Sequence, residues 1–244
     1  MVQIQPKLIF LHIPKTSGKS QRELFVDIYG AHNVFWYGSS QGANNTSAVI
    51  GGHRTIKHYE SLPRCLFSSI VRRPLDRVVS HFNWIAIPSY GKKKVSQGRM
   101  DLQKRFIAQG LVPDSLEQTL EGSEHFRNVI ANTQCRYLSL YNSDFQGVVD
   151  TMSSHDFLIG TQDDLEQYTK FFLNLCGKPN AKPHTLNRAA EGEVPNSNLS
   201  ETAKEILGEL TSEDEKLYSY IRNECSGLYS SISKPEVVAF SHVK

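Results

Sequence analysis

Leu8-Ile9-Phe10-Leu11-His12-Ile13 runs without a break into Pro14-Lys15-Thr16-Ser17-Gly18-Lys19-Ser20, and the fold turns on this junction. The apolar run has the length of a buried strand, and the residues after it carry turn chemistry. Beyond them Ser20-Gln21-Arg22-Glu23 has the pattern of a capping box, and Leu24, Phe25, Ile28 and Tyr29 recur at helical spacing until Gly30. A strand, a tight loop and a helix in that order aim backbone N–H groups and the positive end of the helix dipole at one point, which suits a phosphate or sulfate. Hydroxyls and lysines in the loop add charge-assisted contacts. Gly18-Lys19-Ser20 matches the tail of a Walker A loop, but where that motif needs its first glycine the chain has Ile13. Nor does a run of four apolar residues ending in aspartate offer the acid that holds magnesium in a nucleoside triphosphatase.

Outward from this unit, residues 48–53 and 66–71 read as two further strands, the first ending in Gly51-Gly52-His53. Pro74 stands at a first helical position, and Val78, Val79, Phe82 and Ile85 form an apolar face behind it. Residues 89–105 change character: Lys92, Lys93, Lys94, Arg99, Lys104 and Arg105 face a single acid, Asp101, which reads as a basic loop or lid. Helices are expected at 113–121 and 124–140, a buried strand at 156–160, an amphipathic helix at 161–176, a polar loop at 179–195, and helices at about 199–209 and 212–224. Apolar strands alternating with helices imply an α/β, P-loop-like three-layer fold, a central parallel sheet flanked by helices, with ligands at the carboxyl ends of the strands. One domain spanning 1–244 is expected.

Composition narrows the classes. With 39% hydrophobic and 21% charged residues and no low-complexity tract, the chain is not disordered. Its 27 Lys and Arg against 25 Asp and Glu leave a charge of +2, too near neutral for a protein that coats nucleic acid or an anionic membrane, so any anion site must be local. No apolar run reaches the ~18–20 residues of a membrane span, and a soluble, cytoplasmic protein is expected. The four cysteines lack C-x-x-C spacing, so reduced thiols are expected rather than a zinc site or a disulfide framework.

A second motif is Ser69-Ile70-Val71-Arg72-Arg73-Pro74-Leu75-Asp76-Arg77-Val78-Val79-Ser80-His81-Phe82. Arg72 at a strand's end and Ser80 in the following helix converge on one anion beside the first loop. At this point the chain resembles the sulfotransferases that use 3′-phosphoadenosine 5′-phosphosulfate (PAPS), in particular the branch of the heparan sulfate 2-O- and 6-O-sulfotransferases. That family's loop is similar to H-I-P-K-T-G-G-T-S and its second motif to R-D-P-x-x-R-x-x-S. Gly52-His53, Asn132 to Leu138, Asp156 to Gly160 and Leu186-Asn187 fall where the branch has similar short motifs, so the resemblance covers most of the chain. It implies that Lys15, Thr16, Ser17, Gly18, Lys19 and Ser20 hold the 5′-phosphosulfate, that Arg72 and Ser80 hold the 3′-phosphate, and that Arg188 closes over the nucleotide. It also implies PAPS as co-substrate and adenosine 3′,5′-bisphosphate (PAP) as product. Ser17, Lys19 and Arg73 depart from the family, which usually has Gly, Thr and Asp there; the departures bear on cofactor affinity and turnover, not on the fold.

Sulfuryl transfer to an alcohol needs in-line approach, relief of charge on the leaving phosphate oxygen, and a base for the hydroxyl proton; no metal is required. Lys15 suits the leaving-group side. His53, just past a strand end and similar in context to a catalytic histidine of the branch, suits the base, with His58 as its nearest rival. His12 and His81 read as structural, and Asn132 to Leu138 as structural with one polar contact to the site. The basic stretch 92–105 offers a landing surface for an anionic acceptor such as a glycan, and Trp36, Tyr37 and Trp84 offer faces for an adenine or a sugar ring, although core packing explains such aromatics equally well. The expected reaction is transfer to a hydroxyl on a carbohydrate. The alternatives are a P-loop small-molecule kinase using ATP and magnesium, and a non-catalytic nucleotide- or glycan-binding module.

Overall fold

β1 (Lys7–Leu11) is the strand around which the sheet is ordered. A computed structural model describes residues 7–37, 47–62, 65–89, 95–180 and 199–232. In it β1 pairs in parallel with β3 (Val49–Gly52) on one side and β4 (Cys65–Val71) on the other. β2 (Val34–Trp36) extends the first side, while β5 (Asp156–Thr161) and the antiparallel β6 (Leu228–Ser230) extend the second, giving the order β2-β3-β1-β4-β5-β6. Parallel strands buried on both faces need apolar residues throughout, and all seven residues of β4 are buried.

Alternate residues face opposite layers. Leu8 and Phe10 pack with Leu24, Phe25 and Ile28 of α1 (Gly18–Tyr29) and with Tyr168 and Phe172 of α8 (Leu165–Leu175). Ile9 and Leu11 pack toward Cys135 and Leu138 of α6 (Thr133–Leu138), Val148 and Met152 of α7 (Phe145–Ser154), and Leu217 of α10 (Ser212–Ser219). Gly160 lets α8 approach β5: a Cβ there would lie 2.7 Å from Tyr168, whose hydroxyl shares a 2.6 Å bond with buried Ser68. A separate apolar cluster joins α2 (Pro74–Ala86) to α4 (Leu116–Gly122), α5 (Glu124–Ile130) and α9 (Glu201–Leu210). The expected α/β architecture, a mostly parallel central sheet between helical layers, is the one observed.

Several local expectations are corrected. α1 begins at Gly18, two residues before the capping-box pattern at Ser20, and Ser17 takes the N-cap position without a side-chain bond. The helix expected at 124–140 is two, α5 and α6, because Asn132 adopts φ 40 and its side-chain oxygen accepts bonds from Glu213 N and Asp214 N. From Gln97 onward the basic stretch forms α3 (Gln97–Ile107), and Arg99 is nearly buried. Arg99 donates to the carbonyls of Trp84 and Ile87, finishing the C-terminal end of α2, so it is not open to an acceptor. Lys92, Lys93, Lys94 and Arg188 lie outside the described residues. β2, β6 and α7 were not expected; the two strands have three residues each, too few for a period to show. All four cysteines, which lie among the described residues, are free thiols.

Candidate functional site

Three neighbouring strands end on the same edge of the sheet, and the residues just past their ends form the candidate site. The His12 N–H donates to Gly52 O at 3.1 Å, so β3 and β1 end level, while Ser69 Oγ donates to Leu11 O at 2.8 Å and β4 runs on past that level to Val71. This sets His53, the loop 12–17 and Arg72 side by side where a parallel sheet binds ligands.

The loop is tight and strained. Lys15 (φ 73) and Ser17 (φ 68) are left-handed without being glycine, which costs each ~1–2 kcal/mol. Thr16 is fully buried between them, its hydroxyl donating to Ile13 O at 2.9 Å. Gly18 is obligatory for a different reason: a Cβ there would fall 1.9 Å from the His12 ring. The Ser17 hydroxyl accepts nothing from the first turn of α1, and that turn contains no acid, so the positive helix end faces the site without an internal counter-anion. Ser20 is buried in that turn, whereas the Lys19 side chain is exposed.

Cations set the local field. Lys15 places Nζ 5.9 Å from the ring centre of Trp84, a half-buried indole that Arg99 approaches from 4.8 Å. His81 is stacked on the same indole, and burial first, then Arg77, Lys15 and His53, push its pKa down to about 3. His12 is likewise held well below the usual imidazole range by burial, then by His53 and Lys15. Both histidines are neutral packing groups at physiological pH, which agrees with reading them as structural.

His53 is different. Its ring stacks on His12 with centroids 4.1 Å apart, and its Nδ1 lies 2.9 Å from the His12 carbonyl. A carbonyl only accepts, so Nδ1 carries the hydrogen and Nε2 keeps the lone pair that a base needs. Desolvation by partial burial lowers its pKa, and the bond to the His12 carbonyl works in the opposite direction. The residue remains exposed to solvent. His58, by contrast, has its Nε2 engaged at 2.8 Å by the Tyr37 hydroxyl.

Arg72 is held at three points. Its N–H donates to Gln134 Oε1 and its carbonyl accepts from Gln134 Nε2, both at 2.8 Å, while its Nη1 donates to the Lys15 carbonyl at 3.3 Å. Ser80 is buried in the second turn of α2, on the element that starts just after Arg72. Trp36 is core, stacked 5.8 Å from Phe10. Gln134 and the residues behind it are where reading the sequence fell short: the stretch 132–138 showed one polar contact, and nothing pointed to Asp214. Among the described residues no group of three or more His, Cys, Asp and Glu is arranged to hold a metal ion, and no helix is long and apolar enough to cross a membrane.

Fold and site together define an α/β protein with a tight, cation-bearing strand-to-helix loop after the carboxyl end of its central strand. No protein-family model and no curated protein sequence matches the chain. Among solved structures it is similar to a sulfotransferase from Alicyclobacillus acidocaldarius, with a TM-score of 0.43 and 10% identity over 89% of this chain and 96% of that one. It is also similar to mouse sulfotransferase SULT7A1 complexed with PAP, with a TM-score of 0.29 and 14% identity over 91% and 86% of the two chains.

Proposed function

We propose that this chain moves a sulfuryl group from PAPS to an acceptor hydroxyl, which the resemblance to the heparan-type branch assigns to a carbohydrate. The observation that carries the reading is the meeting, past the ends of three neighbouring parallel strands, of a cationic loop suited to an anion, a backbone-clamped arginine and a histidine whose tautomer leaves Nε2 as acceptor. Residues 15–20 receive the 5′-phosphosulfate, and Arg72 and Ser80 receive the 3′-phosphate. His53 Nε2 takes the proton of the acceptor hydroxyl as its oxygen attacks sulfur from the side opposite the leaving phosphate. The bond from sulfur to the bridging oxygen breaks, and the charge that gathers on the 5′-phosphate of PAP is met by Lys15 and the start of α1. A fixed cation at that point lowers the barrier by ~3–4 kcal/mol on the scale of lost oxyanion donors.

A kinase is less well served by this site. The strand end beside the loop carries Arg72 and Arg73, where a magnesium-dependent transferase needs a carboxylate, and ATP brings no 3′-phosphate to Arg72. The test is thermal denaturation with PAP and with ATP–magnesium. PAP is expected to raise the melting temperature at concentrations where ATP does so less, since only a ligand of the native state stabilises it. Equal stabilisation by both would overturn the reading.

A further inference from the structure

We propose that Gln134 is a positioning residue of this site, fixing Arg72 for the 3′-phosphate, an assignment that rests on the sulfuryl-transfer reading. β4 ends at Val71, so Arg72 has left the ladder and lacks the backbone partners that a strand residue has. The side-chain amide of Gln134 supplies them, accepting from the Arg72 N–H and donating to its carbonyl, as an adjoining strand would. Gln134 is itself fully buried and fixed from behind. Asp214, also fully buried, accepts from the backbone N–H groups of Gln134 at 3.0 Å and Cys135 at 2.8 Å, holding the first turn of α6. Arg77 braces the same turn by donating to Ile130 O and Thr133 Oγ1.

A buried amide that spends both its polar atoms on one residue's backbone orders that residue and leaves its guanidinium to face a ligand. The guanidinium also touches the Lys15 carbonyl, so the same clamp supports the edge of the loop. With the backbone of Arg72 set in advance, binding the 3′-phosphate does not have to order it. Released from Gln134, Arg72 would keep its charge but lose its aim.

The experiment is calorimetric titration of PAP and of AMP, which lacks only the 3′-phosphate, into the wild type, Gln134→Met, Arg72→Ala and the double variant. Methionine keeps the length and apolar contacts of the side chain and removes both polar atoms. Gln134→Met is expected to weaken PAP about tenfold or more while AMP changes by less than about threefold, the scale of lost hydrogen bonds around one charged contact. In the Arg72→Ala background the same change is expected to cost PAP less than about twofold, because the two residues act as a unit. Equal losses for PAP and AMP, or additive losses in the double variant, would overturn the assignment and leave the sulfuryl-transfer reading standing. A wild type that binds neither nucleotide would overturn that reading and this assignment with it. If Gln134→Met does not fold, Gln134→Glu keeps the acceptor toward the Arg72 N–H and loses the donor toward its carbonyl, and the same two criteria decide.

Discussion

Apart from one bond from Arg72 to the Lys15 carbonyl, the loop at 13–18 is held by its neighbours in the chain, whereas the junction at 71–74 is held by a residue 62 positions away. The loop closes on itself through Thr16 and Ile13, seats Gly18 under the ring of His12, and stores strain at Lys15 and Ser17. The junction is unstrained: Arg73 has φ −48, and Pro74 starts α2 with the fixed φ that suits a first turn. Its order comes instead through Gln134 and, behind that, Asp214. One proposed anion site is thus written in consecutive residues and the other in tertiary structure. They should fail differently.

The largest effect is expected behind the junction. Asp214→Ala removes the acceptor for two buried N–H groups and a counter-charge of Arg77. Burial raises the Asp214 pKa despite Arg77 and lowers that of Arg77 to about 10, so both groups are desolvated. Two hydrogen bonds to a charged acceptor, at ~1.5–3 kcal/mol each, put the cost at ~3–5 kcal/mol. At ~2–4 °C per kcal/mol the melting temperature falls by roughly 10 °C. A variant that melts within about 2 °C of the wild type would show that α10 does not brace the junction, and would break the comparison on this side.

Next in size is His53→Ala, which tests the loop side. His53 hangs from the His12 carbonyl and touches nothing that holds Arg72. PAP affinity is therefore expected within about twofold of the wild type, with turnover lower by ~10²-fold or more, the span of a lost general base. The pH profile gives the sign. Only neutral imidazole accepts a proton, so the rate falls as pH drops through the His53 pKa, and desolvation by partial burial sets that limb below the ~6.5 of an ordinary histidine. The variant should lose the limb. A variant that keeps the limb and more than about a third of the rate would move the base elsewhere.

The same division explains what could be read from the sequence. The strands at 8–13, 48–53, 66–71 and 156–160 stood out because buried parallel strands are apolar end to end, and the loop because its chemistry is contiguous. The split between α5 and α6 did not, since apolar residues keep helical spacing from Phe126 and Ile130 to Leu138. Asn132 turns left-handed only because the start of α10 bonds to its side chain. Gln134 gave a partial signal in a polar stretch, but its partner is set by the sheet. Arg99 misled through composition, since a cation in a basic run reads as a surface charge when its carbonyl partners at Trp84 and Ile87 are not yet visible.

The smallest effect isolates strain. Ser17 stands at φ 68, its hydroxyl caps nothing in α1, and a non-glycine residue there costs ~1–2 kcal/mol. Ser17→Gly removes that cost and gives back about half of it through the greater freedom of glycine in the unfolded chain. A net gain of ~0.5–1 kcal/mol is expected, a rise of about 1–3 °C in melting temperature. Arg73→Gly is the matching change at the junction. With no strain to relieve at φ −48, it is expected to lower the melting temperature by a similar amount. Opposite signs for the two glycines would establish the loop as the strained region and the junction as the relaxed one. A Ser17→Gly variant no more stable than the wild type would mean that the serine side chain compensates its own backbone, and the contrast between the two proposed anion sites would then rest on the range of their contacts alone.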